Sequence, residues 1–70
     1  MHRIAVQSSN IRSVGYDPES GTLEVEFNSG SVYQYLNVPK GEYETLMNAS
    51  SKGRYFNRSV KGEYQDVKIR

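Results

Sequence analysis

Cysteine is absent from the 70 residues, which excludes a disulfide framework and any thiolate metal site. Those are the usual staples of very small folds, so ordinary packing has to hold this one together. Tryptophan is absent too, and proline occurs only at Pro18 and Pro39. No apolar run has the length of a membrane span or of a signal-peptide core, and the chain is expected to be cytoplasmic. The one histidine, His2, has neither a nucleophile nor an orienting carboxylate near it in sequence. Asp17 and Glu19 form a close acidic pair, but turn capping accounts for them more simply than acid–base work or a cation site. No Gly-rich phosphate loop occurs, since Gly53 and Gly62 are isolated. The expectation is a non-catalytic protein with no metal and no cofactor.

What the chain has is aromatic area and uneven charge. Hydrophobic residues make up only 36%, yet six are Tyr and two are Phe, and large rings bury much surface per residue. The formal net charge of +1 hides a division near residue 50. Residues 1–50 carry three Lys or Arg against six Asp or Glu, a net of −3, and residues 51–70 carry six against two, a net of +4. A basic segment on a mildly acidic body suits an anionic partner, although a charge run on a small domain can equally be a solvated face.

Punctuation by Gly, Pro and Asn organises the chain into one domain over 1–70. Ile11 to Tyr16 reads as a strand with Val14 and Tyr16 on one face. Asp17-Pro18-Glu19-Ser20-Gly21 is a turn, with Pro18 presetting φ, Asp17 accepting from the backbone beyond it and Gly21 free to take positive φ. Thr22 to Phe27 alternates strictly, which directs Leu23, Val25 and Phe27 inward and Glu24 and Glu26 into water. A third strand from Ser31 to about Leu36 follows the turn Asn28-Ser29-Gly30. After Pro39, Tyr43, Leu46, Met47 and Ser50 share one face of a short helix. Ser50 or Ser51 can cap a second helical segment holding Tyr55, Phe56 and Val60, interrupted or frayed at Gly53 and ended near Gly62. The tail can add a short strand through Val67 and Ile69. The expected fold is α+β: a three-stranded antiparallel meander covered by two short C-terminal helices, monomeric.

Tyr33 and Tyr35 leave the same face of the third strand, as a core wall or as a platform for stacked bases. The turn decides between the two. A three-residue loop sets Tyr33 opposite Val25 and Tyr35 opposite Leu23, on the apolar face. A two-residue loop sets them opposite Glu26 and Glu24, on the wet face, because one residue of slip inverts a strand. Gly30 suits the bulged three-residue loop, which favours the core side with the hydroxyls at a rim.

The remaining candidate site is Lys52-Gly53-Arg54-Tyr55-Phe56-Asn57-Arg58 with Lys61. Cations suit phosphates, rings suit sequence-tolerant stacking, and on a helix Arg54, Arg58 and Lys61 would share a face. The plainer reading is that Phe56 and Val60 pack inward and the basic stripe solvates the outside. A further alternative is protein docking through a free sheet edge or a Tyr-rich face.

Ser8-Ser9-x-Ile11, Val14-Gly15-Tyr16-Asp17, Leu23-x-Val25-x-Phe27-x-x-Gly30, Tyr33-x-Tyr35, Val38-Pro39, Tyr43-x-x-Leu46 and Ser51-x-Gly53-x-Tyr55-Phe56-Asn57 together resemble the KTSC domain. The likeness runs over about residues 7–64 and leaves Lys68 and Arg70 outside it. The family is named for its place at the carboxyl end of some lysyl-tRNA synthetases and also occurs as free-standing small bacterial proteins. The resemblance implies a compact α+β domain of unestablished activity, with RNA binding suggested by association. On that basis the expected partner is RNA, a transfer RNA or a single strand, held by Lys52, Arg54, Tyr55, Arg58, Lys61, Tyr33 and Tyr35; the alternative partner is a protein.

Overall fold

The computed structural model describes all of residues 1–70 as five strands and two helices. In chain order these are β1 (Ile4–Ala5), β2 (Ile11–Asp17), β3 (Thr22–Phe27), β4 (Val32–Tyr35), α1 (Lys40–Asn48), α2 (Lys52–Ser59) and β5 (Asp66–Lys68). The sheet is antiparallel throughout and ordered as the strands are numbered, so both helices are inserted between the adjacent strands β4 and β5. The expected meander β2–β3–β4 is its centre, and the expected three strands become five because each terminus adds an edge. Both additions are too short to leave a periodic signal: β1 has two residues and β5 three.

The apolar face of the sheet carries Val14, Leu23, Val25 and Tyr35, and the helices close over it with Leu46 and Phe56. Ile11 and Val14 would face opposite ways in a regular strand. A register shift between Ile11 and Ser13 sets them opposite Phe27 and Val25, so both reach the core. The turn into β3 forms as its residues dictate: Asp17 accepts from the Glu19 amide at 3.1 Å, and Gly21 takes a φ of 71°.

The β3–β4 turn adopts the bulged three-residue register. Leu23 pairs with Tyr35 and Val25 with Tyr33, the Phe27 amide donates to the Ser31 carbonyl at 2.9 Å, and Gly30 has a φ of 99°. Both tyrosines therefore lie on the core side.

Three further expectations fail. Glu24 is buried rather than in water, and Glu26 is half-buried, because the N-terminal segment crosses their face. Arg3 pairs with Glu24, lies 3.6 Å from Glu26 and donates to Ser13 at 2.9 Å, while Gln34 donates to Glu24 at 2.8 Å. Gly15 permits this crossing: a Cβ there would stand 2.6 Å from the His2 carbonyl oxygen. Burial alone pushes the Glu24 carboxyl up, but the Gln34 and Arg3 hydrogen bonds and the Arg3 charge outweigh it and hold the group below its ordinary value.

The second failure is the break at Gly53. Helix α2 runs unbroken from Lys52 to Ser59, with the Ser51 hydroxyl capping the Arg54 amide at 3.3 Å. Gly53 is buried there because a side chain would strike Asn10. The third is the first helix's end: α1 stops at Asn48, so Ser50 lies outside it and is exposed.

Candidate nucleic-acid interface

The register of one hairpin and the placement of α2 build the site. Tyr33, Tyr35, Phe27 and Phe56 form a closed ring of aromatic contacts. Phe56 meets Phe27 and Tyr35 edge-on, with centroids 5.4 and 5.3 Å apart, Phe27 meets Tyr33 edge-on at 5.9 Å, and Tyr33 and Tyr35 lie nearly parallel at 6.4 Å. Tyr35 and Phe56 are 3% and 2% exposed, and Tyr33 is half-buried. Above this floor opens a cleft of about 430 Å³ whose rim carries Asn10, Asn57, Lys61 and Asp66. An apolar floor beneath a few convergent polar groups is the usual composition of a ligand site. Burial first, then the Asp66 charge, pushes the Tyr35 hydroxyl up to about 12, so it stays a neutral donor.

The wall opposite β4 is shaped by the loop before β2. The Ser8 hydroxyl accepts from the Ile11 amide at 3.2 Å and donates to Asn10 Oδ1 at 3.0 Å. Asn28 fastens this loop to the hairpin, donating to the Ser9 carbonyl at 3.0 Å while its amide donates to the Asn10 carbonyl at 2.8 Å. Gly53 then lets α2 close onto Asn10. Ser8, Asn28 and Gly53 thus hold Asn10 at the cleft's edge without lining the cleft themselves.

The seven residues expected at the site do not gather in one place. Tyr33, Tyr35 and Lys61 line the cleft. Arg54, Tyr55 and Arg58 line a shallow groove of about 720 Å³ between α1 and α2, together with Glu44 and Asn48. Helix α2 stands between the two. Lys61 leaves the stripe of Arg54 and Arg58 because the helix ends at Ser59 and the chain turns through Gly62, whose φ is 82°. Lys52 is half-buried and its Nζ donates to the Ala49 carbonyl at 3.2 Å, which ties down the end of α1.

Within the groove the Arg58 guanidinium sits 5.8 Å from the centre of the Tyr55 ring. The Tyr55 hydroxyl donates to Glu42, which also accepts from Tyr64 at 2.8 Å, so one carboxylate joins α1, α2 and the segment leading to β5. For Tyr64, burial first and the Glu42 bond second push the hydroxyl up to about 12; for Tyr55 the Glu42 bond is the leading cause of an upward shift.

Among the polar residues of the rim, Asn10 and Asp66 lay outside the candidate segment, and Asn57 lay within it without being assigned a role. Asn57 follows the anchoring Phe56 directly, which is a usable signal. Asn10 and Asp66 carry none, because each reaches the rim only through long-range pairing.

A family model described as the KTSC domain matches residues 7–64. An uncharacterized protein of Stutzerimonas stutzeri (strain A1501) is 50% identical over 64 residues, spanning 91% of this chain and 90% of its own length. A lysine–tRNA ligase of Nostoc punctiforme is 44% identical over 59 residues, which span 84% of this chain and only 10% of the ligase. The crystal structure of a KTSC domain protein from Yersinia pestis superposes with a TM-score of 0.96 at 43% identity, covering 99% of this chain and 97% of that one. No helix is long and apolar enough to cross a membrane.

Proposed function

Because this chain belongs to the KTSC domain family, whose relatives include an uncharacterized protein and a segment of a lysine–tRNA ligase, we propose that it is a non-catalytic RNA-associated module. One observation carries the reading: α2 presents the exposed cations Arg54 and Arg58 on one flank and leads into Lys61 at the mouth of an aromatic cleft on the other. Cations that track a phosphate backbone beside a ring that receives an unstacked base are the two elements of single-strand recognition, and Tyr33 is the partly exposed ring of this cleft. Arg58 resting on Tyr55 holds one of those cations in place.

Titration of single-stranded and structured RNA tests the proposal, with the parent compared against a variant carrying Arg54→Glu, Arg58→Glu and Lys61→Glu. Three phosphate contacts on a single strand give a salt slope of about −2, so raising salt from about 50 to 200 mM weakens the parent roughly 20-fold. The variant loses that binding and most of the slope. Failure of the parent to bind either RNA at physiological salt refutes the reading.

A second reading has its own support. Val67 and Ile69, on and beside the edge strand β5, are 44% and 52% exposed, which suits an added strand from a protein partner. Such docking depends little on salt and leaves the triple variant competent.

A further inference from the structure

The two charged groups on the cleft's rim are of opposite sign. Lys61 and Asp66 border the same aromatic floor, and neither forms a salt bridge within the chain, whereas Glu24 and Glu26 on the other face of the sheet both do. A carboxylate repels phosphate, so Asp66 is ill placed to hold a nucleic-acid backbone. Beside rings it is well placed to accept hydrogen bonds from the edge of a base lying on them. Asn10 and Asn57 add amide donors and acceptors at the same rim.

We propose that this cleft holds one unpaired guanine of a single-stranded RNA. Guanine is the base whose edge fits both charges at once. Its ring N1–H and exocyclic N2–H lie side by side and match the two oxygens of one carboxylate. The neighbouring O6 and N7 are acceptors suited to a lysine. Uracil turns a single N–H flanked by two carbonyl oxygens toward a carboxylate, and adenine and cytosine each offer one exocyclic amine. The base lies against the partly exposed ring of Tyr33, with Tyr35 buried behind it, while Asp66 takes N1–H and N2–H and Lys61 takes O6. Arg54 and Arg58, on the other flank of α2, take phosphates without regard to sequence. The inference rests on the RNA-associated reading above and adds the identity of the base.

The test uses fluorescence anisotropy with short oligouridylates that are uniform or carry one central G, A or C. The parent binds the G-containing strand roughly tenfold tighter than the other three, the discrimination expected of one bidentate pair. Asp66→Asn, an isosteric change at an exposed side chain, brings the four strands within about twofold of one another. Arg54→Glu with Arg58→Glu weakens all four alike and keeps the preference. Equal parent affinity for all four strands overturns the guanine assignment and leaves the RNA reading standing. A preference that survives Asp66→Asn overturns the role given to Asp66. No binding of any strand overturns the guanine assignment, and the RNA-associated reading falls with it if structured RNA also fails to bind.

Discussion

Replacing Gly53 by alanine is expected to destabilise the protein, although the same change in an exposed helix would stabilise it by about 1 kcal/mol. The difference lies in what the new methyl group meets. A Cβ at Gly53 would stand 2.2 Å from Asn10 Oδ1, 3.2 Å from Asn10 Cγ and 3.3 Å from Ser8 Oγ. Asn10 can rotate away only by giving up its 3.0 Å bond from Ser8, at a cost of about 1 kcal/mol, and overpacking adds about 1–3 kcal/mol. Set against the helical gain, the net loss is about 1–3 kcal/mol, or a melting temperature lower by roughly 5–20 °C for a domain of this size. Calorimetry on a double-mutant cycle isolates the cause. Asn10→Ala removes the atoms in the way, so adding Gly53→Ala in that background recovers the helical gain and stabilises by up to about 1 kcal/mol. If Gly53→Ala matches or exceeds the parent in stability, or acts identically with and without Asn10, the close approach of α2 to the Ser8–Asn10 loop is not what requires glycine. The same cycle bears on the site, because Asn10, against which Gly53 packs, lines the cleft.

Two further predictions concern charge and protonation. The Glu24 carboxyl titrates below its ordinary value of 4.5, so its contribution to stability is complete above that pH and disappears as pH falls through the folded value. Arg3→Ala removes the partner and costs about 1–3 kcal/mol near neutrality, while Glu24→Gln flattens the stability profile below pH 4.5, both measurable by urea unfolding across acid pH. At the other extreme, the Tyr35 and Tyr64 hydroxyls are pushed from 10.0 up to about 12, so the stability tied to their neutral forms is present below pH 10 and is lost as pH rises toward 12. Glu42→Gln removes the charge that reinforces Tyr55 and Tyr64, and ultraviolet titration of tyrosinate should show those two ionising earlier while Tyr35 stays near 12.

The central meander, the register of its hairpin and both helices are legible in the residues because each rests on local rules. Strict alternation marks β3, Gly30 marks a loop that needs positive φ, and Ser51 marks a helix start. What escapes is long-range. Glu24 looks like a solvated strand residue until Arg3, 21 positions away, folds over it. Gly53 looks like a helix breaker because its reason for being glycine lies in Asn10, which belongs to the loop before β2. The basic stripe predicted for Arg54, Arg58 and Lys61 assumes a helix two residues longer than the one that forms, and so assigns Lys61 to the wrong flank. Asp66 enters the cleft solely because β5 pairs with β4, setting it opposite Tyr35.

RNA that engages α2 and the aromatic cleft beside it leaves a footprint that amide chemical-shift mapping reads residue by residue. Titrating isotope-labelled protein with a single-stranded oligouridylate bearing one guanine should move the resonances of Tyr33, Asn57, Lys61 and Asp66 around the cleft and those of Arg54 and Arg58 along the helix. Glu24, Gln34 and Val67 on the opposite face of the sheet should stay in place. Shifts confined to that opposite face, or no shifts at physiological salt, would contradict that engagement.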